Sequence, residues 1–286
     1  MKPKFDHSNP KKILNFNQVY RIIKYLGKGG QGEVVKILDL NDNTYYALKM
    51  LNQFDHTIFK EIEMLKTLSN NKIISENISK YYDHFMYHNK LCILMEYIDG
   101  TNADIFFKLN SFGLKDYIHF SLWLTDTIKQ LHQLNYVHRD IKPGNIMVTS
   151  HNTFKLIDFG YSCRLGYPKS LISCHISTPG SPVYAGPELW SGTFKKNIDK
   201  YYKTLDMYAV GVTLYDILCR KLPYKIDNKG MVIGKKYHYI TIKFILKQLE
   251  KQLNDILYGC VNLNPDLRST ALHAHQQLMK YKKLIK

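Results

Sequence analysis

The spacing of apolar residues predicts β-strands in the first third of the chain. Five runs rich in β-branched and aromatic residues have strand character: YRIIKYL (20–26), GEVVKILDL (32–40), NTYYALKM (43–50), ISKYYDHFMYH (78–88) and KLCILMEYI (90–98). The apolar residues that recur at helical spacing between the third and fourth runs are Ile58, Ile62, Leu65 and Leu68. This part of the chain therefore predicts a small β-rich lobe with one main helix.

Beyond Gly100 the apolar period becomes helical. The segments with this period are 120–134, 206–218, 240–257 and 269–281. We expect an α+β fold of two lobes, with the β-rich lobe over residues 18–98 and a larger helical lobe over residues 99–286. The polar residues 1–17, which include two prolines and several lysines, are predicted to form a flexible basic arm.

The composition narrows the class of protein. The chain has 286 residues and is 45% hydrophobic, which is enough to bury a sizeable core. It has no apolar run of about 18 residues and no apolar signal core, so we expect neither a membrane span nor a secretory leader. Its five cysteines are scattered and odd in number, which favours reduced thiols in the cytoplasm or nucleus. Cys174 and His175 have no paired ligands, so we expect no metal there.

The formal net charge of +16 raises the question of a nucleic-acid or acidic membrane partner. The lysines are spread along the chain, with only a modest cluster in the last residues, and Asn, Ile and Tyr are abundant as well. An AT-rich genome produces this composition. We therefore expect an affinity for acidic partners, without nucleic-acid binding as the main role, and we expect a monomer.

Four glycines lie close together in LGKGGQGEVVKI (26–37). They match the pattern G-x-G-x-x-G, which occurs in several kinds of phosphate-binding loop. A dinucleotide site requires a helix after the glycines, and a Walker loop requires Lys followed by Ser or Thr. Here the sequence continues as EVVKI, which favours a strand. A glycine-rich hairpin between two strands is the better interpretation.

The segments YVHRDIKPGNIMV (136–148) and KLIDFGY (155–161) contain the strongest candidates for chemistry. Asp140, Asn145 and Asp158 each lie just outside a short apolar strand. This placement lets two oxygen ligands converge on a hard cation while a third carboxylate accepts a proton.

These two segments resemble the eukaryotic-type protein kinases, and the resemblance covers about residues 20–270. The loop H-R-D-x-x-x-x-N is present as His138 to Asn145, and the motif D-F-G begins at Asp158. The resemblance implies that Asp140 is the catalytic base and that Asn145 and Asp158 bind Mg²⁺. Lys142 resembles the lysine of the serine/threonine class, in which it neutralises the transferred phosphate.

The same resemblance assigns residues to ATP. Lys49, in Ala-Leu-Lys, resembles the lysine of V-A-I-K that contacts the phosphates, and Glu61 is its expected helix partner. The gap between them is short for the family, which suggests that the helix lacks its first turn. The residues expected to contact ATP or its Mg²⁺ are Leu26, Gly27, Lys28, Gly29, Gly30, Gln31, Gly32, Val34, Ala47, Lys49, Glu96, Ile98, Asn145 and Asp158. The expected catalytic set is Asp140, Lys142, Lys49 and Glu61.

Further positions resemble the kinase activation segment and its supports. Gly180-Ser181-Pro182 resembles G-T-P, and Gly186-Pro187-Glu188 resembles A-P-E with Gly in place of Ala. The resemblance implies a buried ion pair between Glu188 and Arg268, and a scaffold role for Asp206. Arg139 precedes the catalytic aspartate, which suggests control by a phosphate on Ser177 or Thr178.

The function implied is a serine/threonine protein kinase that uses ATP and Mg²⁺ to phosphorylate a protein substrate. The alternative is a pseudokinase or scaffold that binds partners without phosphoryl transfer, which would predict the loss of Lys49, Asp140, Asn145 or Asp158. All four are present.

Overall fold

The computed structural model describes residues 12–15, 18–52, 56–166, 180–189, 198–224 and 250–282. The chain divides into two compact units, Met1–Asp99 and Gly100–Lys286. The first unit is built on a sheet and the second mainly on helices. The predicted α+β architecture, a β-rich lobe with one main helix and a larger helical lobe, is confirmed.

The described residues of the first unit form a six-stranded antiparallel sheet and one α-helix. The strands are β1 (Lys12–Asn15), β2 (Gln18–Lys28), β3 (Gly32–Asp39), β4 (Tyr45–Leu51), β5 (Tyr81–Tyr87) and β6 (Lys90–Glu96), and the helix is α1 (His56–Ser69). The strand order is β1-β2-β3-β4-β6-β5. All five runs predicted as strands lie in this sheet, and α1 begins two residues before the predicted helix.

The expectation of a flexible arm over residues 1–17 is wrong for Lys12–Asn15, which forms β1. This strand pairs with β2 so that Ile13 lies opposite Tyr20 and Leu14 opposite Val19. An edge strand presents unpaired backbone N–H and C=O groups, and the segment that immediately precedes β2 in the chain can satisfy them. The polar composition of this region does not reveal such backbone pairing.

The first unit buries a hydrophobic cluster on one face of the sheet, and α1 buries a further set of apolar side chains. The buried side chains of the sheet cluster include Tyr20, Val35, Ile37, Leu48, Phe85, Cys92 and Leu94. The Tyr20 and Phe85 rings stack with their centroids 5.9 Å apart. On α1, Ile62, Leu65 and Leu68 are buried, as their helical spacing predicts. Glu61, the residue before Ile62, is buried as well.

The second unit contains five of the six α-helices in the described ranges, together with short strands. The helices are α2 (Ala103–Leu109), α3 (Leu114–Gln133), α4 (Ile198–Cys219), α5 (Glu250–Cys260) and α6 (Ala271–Lys282). The strands are β7 (Gly100–Asn102), β8 (Tyr136–Val137), β9 (Ile146–Thr149), β10 (Phe154–Leu156) and β11 (Cys163–Arg164). They form one sheet in the order β10-β9-β7 and one in the order β11-β8. Across the described ranges, no helix is both long and apolar enough to cross a membrane.

Helix α3 begins six residues before the predicted segment 120–134. Its first turn is stabilised by Asp116, whose Oδ2 accepts a hydrogen bond from the Gly113 N–H at 2.9 Å. Sequence periodicity did not predict α2, which is only seven residues long. Of the predicted segment 240–257, only the part from Glu250 onward lies in the described residues, and it is helical.

The cysteines differ in part from the expectation of five reduced thiols. Cys92, Cys219 and Cys260 are free, whereas Cys163 is disulfide-bonded, so the expectation is wrong for Cys163. A disulfide depends on the approach of two Cα atoms to within about 7 Å, which the spacing of scattered cysteines along a sequence does not show. Burial raises the pKa of the Cys92 and Cys260 thiols to about 12, so neither is a reactive thiolate at neutral pH. Cys174 and His175 lie outside the described residues.

Candidate active site

In the first unit, β4 and α1 bring Lys49 and Glu61 together. Lys49 Nζ lies 2.7 Å from Glu61 Oε1, and the two side chains are only 8% and 5% exposed. Burial makes this pair costly to form unless both charges are satisfied, and the short, charge-assisted hydrogen bond supplies that compensation. The structure thus places the expected lysine and its expected helix partner in direct contact.

The glycine stretch forms a hairpin between β2 and β3, as the sequence predicts. Gly27 lies opposite Val34 and Lys28 opposite Glu33 in the ladder. The Gly29 N–H donates to the Gly32 carbonyl at 2.9 Å, which closes the turn. Backbone N–H groups of glycine-rich turns can bind phosphate oxygens, and that of Gly29 is already bonded within the turn.

The glycines of the hairpin do not have equal structural roles. A Cβ added at Gly32 would lie 2.3 Å from the Met50 carbonyl oxygen, because β4 passes very close to the backbone there. A Cβ added at Gly29 or Gly30 would meet nothing within 4 Å. Gly32 is therefore required by packing, whereas the other two positions leave space above the loop.

We expect Gly32→Ala to lower the free energy of unfolding by about 1–3 kcal/mol, because the backbone of β3 or β4 must shift to relieve the contact with Met50. Gly29→Val is the matched variant: it should change the free energy of unfolding by less than about 0.5 kcal/mol. It should instead weaken ATP binding by crowding the loop. Urea unfolding measures the free energy of unfolding, and calorimetric titration measures the affinity for ATP. Equal destabilisation by the two variants would contradict this distinction.

The remaining residues expected to contact ATP in the first unit lie on β2, β3, β4 and β6. Leu26 is 41% exposed, Ala47 is buried and Val34 is half-buried. The Glu96 side chain accepts a hydrogen bond from the Lys80 N–H at 3.2 Å through Oε2. The Glu96 N–H in turn donates to the Lys80 carbonyl at 2.9 Å, so these two bonds join the end of β6 to the residue before β5. Ile98, two residues further on, is buried.

In the second unit, the loop between β8 and β9 assembles a polar cluster around Asp140. The carboxylate is buried and accepts three hydrogen bonds of 2.8 Å, from Lys142 Nζ, from Asn145 Nδ2 and from the Ser181 N–H. Lys142 Nζ also donates to Ser181 Oγ at 2.7 Å. These contacts fix the orientation of the carboxylate. The sequence marked Ser181 only through the G-S-P element, and its bonds to the catalytic loop were not predicted.

The donor set suits a hard cation at Asn145 and Asp158. Asn145 Nδ2 donates to both the carbonyl and the carboxylate of Asp140, so Oδ1 takes no part in these two bonds. The Ile157 N–H donates to the Asn145 carbonyl at 2.9 Å, which holds the segment before Asp158 next to Asn145. An amide oxygen and a carboxylate are the ligand types that Mg²⁺ prefers. In the described part of the chain, no group of three or more His, Cys, Asp or Glu residues could hold a metal ion.

The catalytic loop is anchored on α4 by Asp206, which is fully buried. Its Oδ1 accepts a hydrogen bond from the Arg139 N–H at 2.7 Å, and its Oδ2 accepts one from the His138 N–H at 2.9 Å. Arg139 itself has a φ of +68°, a conformation that costs energy for a residue with a side chain. The two hydrogen bonds that Asp206 accepts compensate for that strain and hold the backbone that precedes Asp140.

The Arg139 side chain is largely enclosed. Its guanidinium lies over the Tyr202 ring at 4.9 Å, and Nη1 donates to Cys163 Sγ at 3.6 Å. Burial lowers the pKa of this guanidinium, while Tyr202 and Asp206 oppose the shift. The predicted phosphorylation sites Ser177 and Thr178 lie outside the described residues, so the proposed control through Arg139 stays a prediction.

His138 is buried beneath the catalytic loop. Its Nδ1 accepts a hydrogen bond from the Asp140 N–H at 3.3 Å, and its Nε2 lies 3.3 Å from the Ile157 carbonyl. A ring that accepts at Nδ1 and donates at Nε2 is neutral. Desolvation lowers the pKa of His138 and outweighs the opposing effect of Asp206, Asp140 and Asp158.

We expect this lowered pKa to make stability depend on pH. In the unfolded chain the imidazole takes up a proton near pH 6.5, whereas in the folded chain it does so only at lower pH. The contribution of neutral His138 is therefore complete above about pH 6.5 and decreases as the pH falls, by up to about 1.4 kcal/mol per pH unit. Urea unfolding between pH 5 and 8 measures this slope. His138→Gln should reduce it, whereas the exposed His84→Gln should not.

A buried ion pair joins Glu188 to Arg268, as predicted. Arg268 Nη1 and Nη2 donate to Glu188 Oε1 and Oε2 at 2.6 and 3.0 Å. A Cβ at Gly186 would lie 2.7 Å from both of these oxygens, which explains why this chain has Gly where the family pattern has Ala. An alanine at this position would have to displace the carboxylate of Glu188, which Arg268 holds in place.

Comparison with known proteins agrees with this geometry. The family model of the protein kinase domain matches residues 20–279. The chain belongs to the protein kinase domain family. This match spans both structural units, so the hairpin, the Lys49–Glu61 pair and the loop around Asp140 all fall within the kinase domain.

Similar proteins include three protein kinases. The Carbon catabolite-derepressing protein kinase of Candida glabrata is 27% identical over 90% of this chain and 40% of its own length. Calcium-dependent protein kinase 4 of Plasmodium falciparum is 29% identical over 91% of this chain and 49% of its own. The Serine/threonine-protein kinase YPK3 of Saccharomyces cerevisiae is 27% identical over 76% and 47%. The chain thus spans less than half the length of each of these relatives.

Proposed function

We propose that this chain is a serine/threonine protein kinase that transfers the γ-phosphate of ATP to a hydroxyl group of a protein substrate. The observation that carries the proposal is the arrangement around Asp140. A buried carboxylate held by Lys142, Asn145 and the Ser181 backbone is fixed in position and can accept the proton of an incoming hydroxyl.

The residues of the second unit then have distinct roles. Asp140 orients the substrate hydroxyl and takes its proton. Lys142, whose Nζ lies 2.8 Å from Asp140 Oδ2, provides a positive charge next to that base and neutralises the phosphoryl group in transfer. Asn145 and Asp158 would hold Mg²⁺, which supplies charge neutralisation at the phosphate oxygens when bound.

The residues of the first unit would hold the nucleotide. Lys49 contacts the phosphates, and Glu61 keeps its ammonium in position through their 2.7 Å contact. The backbone of the glycine hairpin covers the phosphates. The residues proposed for adenine are Leu26, Val34 and Ala47 as apolar contacts, with Glu96 and Ile98 contributing backbone groups. Phosphoryl transfer requires mainly positioning and charge neutralisation, and this set supplies both.

The assignment to the serine/threonine class rests on Lys142, which lies two residues after Asp140 in the loop H-R-D-I-K-P-G-N. The similarity to the Serine/threonine-protein kinase YPK3 of Saccharomyces cerevisiae supports the same class. We further propose that the protein acts as a monomer, with ATP and a protein substrate as its partners. We also propose the cytoplasm or nucleus as its compartment, which the free thiols of Cys92, Cys219 and Cys260 favour and the disulfide at Cys163 does not. The pseudokinase alternative has no support in the described residues, because Lys49, Asp140 and Asn145 are present and in contact with their expected neighbours.

Labelled ATP with a generic basic protein substrate tests the proposal. We expect the wild-type chain to transfer label to the substrate and Asp158→Asn to lose the signal, because an amide binds Mg²⁺ more weakly than a carboxylate. Asp116→Asn is the matched control: the same chemical change at an exposed site on α3 should leave transfer intact. Equal transfer by wild type and Asp158→Asn would refute the catalytic assignment.

A further inference from the structure

A side chain of the glycine hairpin contacts the phosphate-binding lysine directly. Gln31 Oε1 accepts a hydrogen bond from Lys49 Nζ at 3.0 Å. The same ammonium donates to Glu61 Oε1 at 2.7 Å. An ammonium has three N–H donors, so these two bonds engage most of the hydrogen-bonding capacity of Lys49. One of the two acceptors is a charged carboxylate and the other is a neutral amide.

The backbone of the hairpin holds Gln31 in this position. Its carbonyl accepts a hydrogen bond from the Asn52 N–H at 3.0 Å, just beyond the end of β4. The next residue, Gly32, is pressed against β4 by the approach of the Met50 carbonyl. By contrast, Gly29 and Gly30 have open space around them. One side of the turn is thus fixed to the strand that carries Lys49, and the other side has room to move.

We propose that the Gln31 side chain is an internal competitor for Lys49, which a nucleotide phosphate must displace. The inference rests on the proposed function of Lys49 and adds a residue that tunes nucleotide affinity. The bond to Glu61 is charge-assisted and buried, whereas the bond to Gln31 is made by a neutral amide on a half-buried side chain. A phosphate oxygen therefore replaces Gln31 at Lys49 and leaves the pair with Glu61 intact.

Calorimetric titration with ATP and with adenosine separates this role from a structural one. We expect Gln31→Ala to bind ATP about three- to tenfold more tightly, which corresponds to the net value of one hydrogen bond. Adenosine has no phosphates, so its affinity should not change. Gln31→Asn, whose oxygen is one methylene short of Lys49, should act in the same direction as Gln31→Ala. Gln31→Glu should weaken ATP binding, because an ion pair with Lys49 is harder to displace.

A second background tests whether the effect passes through Lys49. In Lys49→Met, adding Gln31→Ala should leave the ATP dissociation constant unchanged, because the contested ammonium is absent. Gln133→Ala, at an exposed position near the end of α3, is the matched glutamine control and should leave ATP binding unchanged in the wild-type background. Thermal unfolding of each variant without nucleotide reports whether the change has altered the fold.

The outcomes distinguish the competition by Gln31 from the proposed contact of Lys49 with the ATP phosphates. Weaker or unchanged ATP binding by Gln31→Ala, an equal gain for adenosine, or a gain that persists in Lys49→Met would overturn the competition by Gln31. If Lys49→Met weakens ATP binding in the same series, the proposed role of Lys49 survives that failure. Equal ATP binding by wild type and Lys49→Met, or no ATP binding by the wild type, would overturn the phosphate role of Lys49 and the competition together.

Discussion

Replacing Asp140 with asparagine will lower kcat for phosphoryl transfer by about 10²–10⁴-fold, the range that general acid–base catalysis contributes. The amide has nearly the shape of the carboxylate but cannot accept the proton of a substrate hydroxyl. Lys142, Asn145 and the Ser181 N–H all donate to the carboxylate of Asp140, so the NH₂ group of an asparagine there would face other donors and leave some of them without an acceptor. The variant therefore loses both the base and part of the order around it.

The dissociation constant for ATP should change by less than about twofold in this variant, because Asp140 is not among the residues proposed to hold the nucleotide. Single-turnover kinetics with labelled ATP gives the rate of transfer, and calorimetry gives the affinity. Asp116→Asn again serves as the matched control. A transfer rate within about threefold of the wild-type rate would show that Asp140 is not the catalytic base and that another group accepts the proton.

Contiguous motifs made the catalytic loop predictable from the sequence. His138, Asp140 and Asn145 lie within eight residues, and a short loop between two strands brings such neighbours together without reference to the rest of the fold. The pairing of Lys49 with Glu61 was predicted from the resemblance to the protein kinases, and the helical spacing of Ile62, Leu65 and Leu68 correctly placed Glu61 on a helix.

Other contacts of the site could not be predicted in this way. The Lys49–Gln31 bond depends on how the glycine turn folds over β4, and the bonds from Asp206 to the catalytic loop join residues 67 and 68 positions apart. Backbone pairing of β1 and the disulfide at Cys163 likewise depend on the approach of segments in space. Hydrophobic periodicity reports burial within one element, and it contains no information about a particular hydrogen bond between two elements.

The second large effect is expected at Arg268, whose removal should lower the free energy of unfolding by about 3–5 kcal/mol. Its side chain is completely buried, and besides the pair with Glu188 its Nη1 donates to the Thr204 carbonyl at 2.8 Å and its Nε to the Asn262 carbonyl at 2.9 Å. Arg268→Ala leaves the Glu188 carboxylate without its charge partner and removes one donor each from the Thr204 and Asn262 carbonyls. It also opens a cavity beside the Tyr208 ring, over which the guanidinium lies at 5.0 Å.

A double-mutant cycle with Glu188→Ala measures how much of this loss in the free energy of unfolding is due to the ion pair. The combined variant should be destabilised by clearly less than the sum of the single variants, because the second substitution removes a charge that the first left unpaired. Arg220→Ala is the matched control: this exposed arginine also donates to a carbonyl, that of Asn110 at 3.3 Å, and lies over an aromatic ring. Its loss should cost less than about 1 kcal/mol. Urea unfolding measures the free energy of unfolding of each variant. If the losses from Glu188→Ala and Arg268→Ala are additive, the charge pair contributes little. Burial and the carbonyl contacts would then hold Arg268 in place.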